Sequence, residues 1–420
     1  ASGAGTGTTT WTCNNTYLLD GYVFVNSGQV LTIEPGTVIK GMPGQGADAA
    51  ALIVSRGAQI YADGTETCPI TFTFQADPLD GSVSYDTRGQ WGGVIILGDA
   101  LTNLPTGEGQ IEGVPSDNDR AAYGGNNDDD NSGVLRYVSI RHGGTQLGAA
   151  NEINGLTLGA VGSGTTIEYV EVIANEDDGI EFFGGSVDVK HAAVAFVGDD
   201  SFDYDQGYHG RGQYWFALND HDTGDRGGEF DGDDSPNVTS DGQPFATPHI
   251  YNATFIGRGI AANKQGLLYR SGAGGDMKNM IMANFSEGIE LEDVQDPSDA
   301  YDKWEQGLLN LEDICMVAVN EVIDYDGSND PNGDNALDAY AVTNNIAIGD
   351  PGIDFDYGFD ATGVVVENTL DLTPANDVTI TSGLPTDDWF DAAAYKGAFG
   401  PSENWLDQSW SYLGQIGIFQ

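Results

Sequence analysis

Residues 167–185 read IEYVEVIANEDDGIEFFGG and residues 189–207 read VKHAAVAFVGDDSFDYDQG, and the two stretches lie on each other at a shift of 22 residues. Ile167 falls on Val189, Val170 on Ala192, Val172 on Val194 and Ile180 on Phe202. The acids keep the same register, with Asp177 and Asp178 over Asp199 and Asp200. A period of this length is one turn of a solenoid, in which each coil buries its apolar side against the coils above and below. The expected fold is therefore all-β, a parallel β-helix with acidic loop insertions and a cap at each end. The repeated Asp pairs would form a ladder along one outer edge.

Outward from this repeat, the same alternation of short strands and tight turns recurs. It is present in VFVNSGQVLTIEPGTVIKG at 23–41 and ALIVSRGAQIYADGTETCPITFTF at 51–74. Further coils are expected at 91–97, 134–142, 156–161, 214–218, 250–256, 266–269, 277–284, 341–348 and 363–366. The 60 glycines against 15 prolines suit short strands joined by turns. Three acidic, Asn- and Gly-rich insertions, 102–132, 219–242 and 324–338, read as surface loops. At 298–313 a short helix competes with a strand. The chain divides into an N-terminal arm or cap (1–24), the β-helix (25–387) and an aromatic C-terminal cap (388–420). In an alternative use of the ends, the final LGQIGIF or the N-terminal arm adds as a strand to a neighbouring copy, giving a homopolymer.

The 65 Asp and Glu against 15 Lys and Arg give a net charge of −50. Nucleic acid, anionic lipid and acidic polysaccharide are repelled by such a surface unless cations intervene. No window carries the 18 or more apolar residues of a membrane span, and the first residues lack the basic start and apolar core of a signal peptide, so the chain reads as mature. Of the three cysteines, Cys13 and Cys68 both lie in the first coils and form the expected disulfide, which suits an extracellular compartment. Cys315 sits in the apolar run DICMVAV and reads as a buried free thiol.

Stacked carboxylates repel one another unless protons, water or cations separate them, and calcium takes six to eight oxygen ligands. Candidate ligands are Asp177, Asp178, Asp199, Asp200, Asp203 and Asp205 on the ladder, then Asp220, Asp222 and Asp225 with Asp231, Asp233 and Asp234, and finally Asp326 and Asp330. Asp326, Ser328 and Asp330 have the alternate oxygens of an EF-hand, but Pro331 replaces its glycine. The five histidines show no zinc spacing. Tyr204, Tyr208, Tyr214 and Trp215 lie close to the acids, where aromatic faces suit a glycan, although alternation places at least one of them in the core.

WGGVIILG at 91–98, IEGVP at 111–115, YGG at 123–125, NSGVLRYVSIRHGGT at 131–145, the block 151–185 and GDDSFDYDQGYHGRGQYWF at 198–216 resemble a family of large secreted proteins of Bacteroidota-type bacteria. The resemblance runs over residues 11–413. It implies a right-handed β-helix, export by a type IX route and a cell-surface or extracellular location, with no settled activity. The expected role is a calcium-stabilised, non-catalytic surface or matrix protein, an adhesin or fibre subunit.

A second resemblance implies an enzyme. Asn175-Glu176-Asp177, then Gly198-Asp199-Asp200 one coil on and His221 a further coil along follow the order of polygalacturonase-like glycosidases. Asp177, Asp199, Asp200 and His221 would then be the acid, base and supporting histidine of glycoside hydrolysis. Against this, His221 lies in Asn-Asp-His-Asp and not between glycines, and the Arg-x-Lys clamp is missing after it.

Overall fold

In the computed structural model, residues 3–112, 114, 118–146, 153–233, 242–294, 299–357, 369–380 and 384–420 are described. The first coils have three walls. Thr9–Trp11 pairs in parallel with Val30–Ile33 and that strand with Gln59–Asp63. Thr16–Leu19 pairs with Val38–Gly41 and Ile70–Phe74, while Tyr22–Val25, Ala51–Val54 and Val94–Leu97 form the third wall. From Gly133–Arg141 onward the first two walls join in one bent strand, which pairs with Gln59–Asp63 before the bend and Ile70–Phe74 after it. The long strands Thr166–Ile173, Asp188–Ala195, Arg211–Leu218, His249–Ile256, Gly275–Ala283 and Leu309–Val317 continue the stack. The repeat register is the one expected from sequence, with Ile167 on Val189, Val172 on Val194 and Ile180 on Phe202.

The bend is a column of left-handed residues. Tyr137, Tyr169, His191, Tyr214, Asn252, Asn279, Asp313 and Asn345 occupy the same place in successive coils, all with φ between 50° and 61°. A non-glycine residue there costs about 1–2 kcal/mol, less for Asn and Asp, whose side chains bond locally. In the earlier coils the cost is offset by ring stacking. Tyr137 lies 4.6 Å from Tyr169, Tyr169 4.2 Å from His191 and His191 4.7 Å from Tyr214 between ring centres.

The second wall is apolar on both faces. Its inner residues join the interior core, and its outer ones, including Ile173, Ala193, Ala195, Phe216, Leu218, Ile256 and Ala283, are covered by Leu370, Leu372, Trp405, Leu406, Trp410, Leu413 and Phe419. The aromatic run 388–420 is thus a strap along the side of the stack rather than a cap on its end. It reaches back to the early coils, where the Tyr412 N–H donates to the buried Glu171 carboxylate at 2.7 Å and Ser409 bonds the Glu66 carbonyl. LGQIGIF is accordingly no free strand, since Ile418 and Phe419 are buried and Leu370 bridges to Phe419.

The C-terminal end of the stack is instead covered by the helix Gly333–Thr343, which buries Leu337 and Ala341 beside the strand Glu321–Gly327. This helix takes up part of what sequence assigned to a loop at 324–338 and a strand at 341–348, leaving only Ile346–Ile348 extended. A helix does form in the ambiguous stretch, Ala300–Glu305 with Asp299 as its capping residue, and the strand Leu309–Val317 follows it. At the other end, residues 9–24 of the expected arm belong to the first coil itself. The expected strand at 363–366 lies outside the described residues.

Cys13 and Cys68 are both exposed free thiols, so the expected disulfide is not formed in this structure, and Cys315 is a half-buried thiol whose pKa burial raises. Cys13, Gly36 and Cys68 nevertheless share one corner of three successive coils. A Cβ on Gly36 would stand 3.9 Å from the Cys13 Cβ and 3.8 Å from the Cys68 Cβ, so the glycine leaves the space between them clear. Oxidation is expected to link the two across Gly36 and, in the chain-entropy account, to stabilise the fold by about 4 kcal/mol. Mass spectrometry of oxidised protein should show the cross-linked peptides. Two thiols that stay reactive to a thiol dye after oxidation would rule the pairing out.

Candidate metal centre on the acidic wall

From Ile180–Phe183 onward the third wall is built from short strands that, apart from QGLLYR, alternate apolar and acidic residues, IEFF, FDYD, GEFD, EGIELED and EVIDYDG. Ile180, Phe182, Phe202, Tyr204 and Phe230 point into the core, so the residues between them must face outward. Parallel register then stacks Glu181 on Asp203, Asp203 on Glu229, Glu229 on Leu268, Leu268 on Glu290 and Glu290 on Asp324. Neighbouring rungs are about 4.8 Å apart. At that spacing each pair of ionised carboxylates repels by roughly 1–4 kcal/mol, depending on the local dielectric.

At the corner before this wall, the repeated Asp pairs tie coil to coil. The Asp200 N–H donates to Asp178 Oδ1 at 2.9 Å, and the Arg226 N–H donates to Asp200 Oδ1 at 2.6 Å. Asn175 Nδ2 closes the same turn by donating to the Asp178 and Ile153 carbonyls. One oxygen of each buried aspartate is therefore a backbone acceptor for the next coil.

The middle of the ladder supplies its own cations. Arg226 meets Asp225 at 2.8 Å, Glu229 at 3.0 Å and Asp200 at 3.4 Å, Lys264 pairs with Asp225, and Arg270 meets Asp231 at 2.8 Å and Glu229 at 3.3 Å. Carboxylate triads whose oxygens come within 4.8 Å of one another lie on both sides of this basic girdle. On one side are Asp177, Asp178 and Asp199, then Asp178, Glu181 and Asp203; on the other are Glu287, Glu290 and Asp324, then Glu290, Glu292 and Asp326. A further triad, Asp199, Asp200 and Asp225, includes two acids already paired with Arg226 or Lys264.

The Asp178, Glu181 and Asp203 group has the donors a hard cation needs. Asp203 Oδ1 is buried with no hydrogen-bond partner, and so is the Oδ1 of Asn154, whose amide nitrogen touches Glu181. Burial, with the neighbouring carboxylates as a second cause, raises the pKa values of all three acids well above the usual range. On the far side, burial pushes Glu290 and Glu292 up to about 7. Oxygen-only donor sets of this kind suit calcium or magnesium rather than zinc.

The expected ligands separate into groups. Asp177, Asp178, Asp199, Asp200, Asp203 and Asp225 gather as above, and Asp205 stands at the end of its strand with one oxygen bonded by Gln206. Asp231 is held by Arg270. Asp220 is paired with Arg88 beside the strap, and Asp222 donates its backbone N–H to Asp220, so these two do not join the wall. Asp326 joins Glu290 and Glu292, whereas Asp330 turns away to accept from the Tyr301 hydroxyl, which undoes the EF-hand-like grouping. Asp234 lies outside the described residues. Glu181, Glu229, Glu287, Glu290, Glu292, Asp324 and Asn154 were not foreseen, although the acid at every second position of each short strand was the signal for most of them.

The glycosidase-like set does not assemble as expected. His221 stacks on Tyr357 at 4.4 Å, with its Nε2 3.1 Å from the Tyr357 carbonyl, and is in none of the carboxylate groups. The expected aromatic glycan platform is also lost to the core. Tyr204, Tyr208 and Trp215 are fully buried, and their polar atoms bond the carbonyls of Gly274, Val187 and Val189.

Residues 3–354 match the pectate-lyase-like β-helix domain, most of the chain. The chain belongs to that family. No curated protein and no solved structure matches it. Family membership agrees with the stacked walls, and among the described residues no helix is long and apolar enough to cross a membrane.

Two outcomes follow from the acid wall. Asp178→Ala leaves the Asp200 N–H without its acceptor and should cost about 1–3 kcal/mol in denaturant unfolding, whereas Asp178→Asn, which keeps an oxygen there, should cost less. In chelator, melting temperature should fall as pH rises from 4.5 to 8. The wall acids have raised pKa values in the fold, so the folded state binds more protons than the unfolded chain, and stability present at low pH is lost as they ionise. A flat or rising profile would contradict the charge assignment.

Proposed function

We propose that the protein is a non-catalytic β-helix stiffened by calcium on its acidic wall and displayed outside the cell as a surface or matrix adhesin. The observation that carries this reading is the use of the Asp178 and Asp200 carboxylates as acceptors for the backbone of the next coil. Groups so engaged, and only 8% and 2% exposed, hold the stack together and offer little to a substrate. Asp178, Glu181 and Asp203, with the Asn154 amide oxygen, would hold the ion on one side of the basic girdle. Bound there, calcium supplies positive charge that lets the wall acids ionise together. Secretion and surface display rest on the resemblance of the sequence blocks and on a net charge that suits a hydrated, saline exterior.

Self-association by strand addition would use the N-terminal coil. Among the described residues, Thr9–Trp11 and Thr16–Leu19 each have a strand partner on one side only, while the strand Tyr22–Val25 is partly covered by the Thr6 N–H bonded to Phe24. The helix Gly333–Thr343 obstructs the opposite end, which favours paired copies over an open fibre.

Chelation is expected to lower the melting temperature by several degrees and calcium to restore it, with Glu181→Gln plus Asp203→Asn removing most of the response. No glycan should be cut in either state. Polysaccharide cleavage abolished by Asp199→Ala with melting unchanged would replace this reading with the hydrolase one.

A further inference from the structure

Where the strap crosses the bend column, it borders a half-open cavity of about 200 Å³ against His191, with Tyr214, Tyr395, Trp405, Asp391 and Glu403 in its lining. Its size fits a small group rather than a drug-sized ligand. His191 is sandwiched between Tyr169 and Tyr214, and Tyr169 is covered on its other side by Tyr137, so neither His191 nor Tyr169 has a face left for a sugar ring. Burial, with Lys190 as a lesser cause, lowers the His191 pKa to about 3, and the imidazole is neutral at physiological pH. Its Nδ1 is buried with no hydrogen-bond partner. An unmet buried nitrogen is costly, and in the tautomer protonated at Nε2 it is an acceptor.

The rest of the lining has the same polarity. Its two acidic side chains, Asp391 and Glu403, are on exposed residues of the strap, and no Lys or Arg is among the lining residues. Asp391 meets Lys190 at 3.4 Å, whereas Glu403 has no cationic partner among the described residues. Phenol oxygens of Tyr214 and Tyr395 add further acceptors. Such a lining rejects anions and fits a compact cation that brings only N–H donors.

We propose that this cavity takes a primary ammonium group, from a lysine side chain or a free alkylamine, with Glu403 and Asp391 as its counter-charges and His191 Nδ1 as a buried acceptor. The proposal is independent of the metal reading, because it uses none of the acids of the third wall.

The test follows the ring resonances of histidine-labelled protein. His191 is assigned with His191→Tyr, which places at this position the residue found in three other coils of the column. Titration with n-butylammonium at pH 7 should shift the His191 signals saturably, while n-butanol leaves them in place. Glu403→Gln, a surface change checked by melting temperature, should weaken binding about tenfold, and the remote Asp20→Asn should leave it unchanged. N-acetyl-lysine methylamide in place of butylammonium decides the source: equal or tighter binding assigns the site to a lysine side chain, weaker binding to a free amine. No saturable shift, an equal response to n-butanol, equal weakening by Glu403→Gln and Asp20→Asn, or displacement by calcium at lower concentration would each overturn the proposal.

Discussion

In a parallel coil stack, each residue sits about 4.8 Å from its counterpart in the next coil, and that spacing governs everything else in this molecule. Stacking like on like is favourable for Ile167 and Val189 or for Tyr169 and His191, because apolar and ring surfaces cover each other. It is unfavourable for Glu181 and Asp203, which bring like charges together. The chain gains a continuous core from the repeat and must then manage the outside of each wall separately.

Two walls show two solutions. The second wall has apolar residues on both faces, and its outer face is covered by the strap, residues 369–380 and 384–420, pinned by contacts such as Tyr412 to Glu171 and the Ala398 N–H to the Thr254 hydroxyl. The third wall remains acidic. Arg226, Lys264 and Arg270 neutralise its middle coils, leaving the Asp178, Glu181 and Asp203 group and the Glu287 to Asp326 group without equivalent internal cations. Position along the stack, rather than acid content alone, thus decides where an external cation is most needed.

Much of the fold was legible because the repeat carries its own register. One 22-residue match gave the pairing of Ile167 with Val189 and of Asp178 with Asp200, as the structure has it. In sequence the strap reads as a cap, because aromatic residues near a chain end suit either a cap or a side cover. The deciding signal lay elsewhere, in the runs AAVA at 192–195 and WFAL at 215–218, whose lack of alternation marks strands buried on both faces. The terminal helix was obscured by DPNGDN, a turn-like lead-in, ahead of ALDAYAVT. On the acidic wall, the paired aspartates at the corner are the more conspicuous repeat and mask the alternate acids of the strands, and two of the cations that partner these acids, Lys264 and Arg270, lie 39 residues from Asp225 and Asp231 in sequence.

Raised carboxylate pKa values in a cluster are a common mark of catalytic sites, and this wall has several. The cause here is burial of acids that the stack itself requires, not a partner arranged to tune one of them. Asp200 accepts from the Arg226 backbone and meets its guanidinium, and Asp178 accepts from the Asp200 backbone. A general acid must deliver its proton to a substrate atom within hydrogen-bond reach, and here one oxygen of Asp178 and one of Asp200 are already taken up by the backbone of the next coil. The same commitment explains why the Asp pair recurs at a period of one coil. The second aspartate of each pair serves the coil after it, a structural need that recurs with every coil.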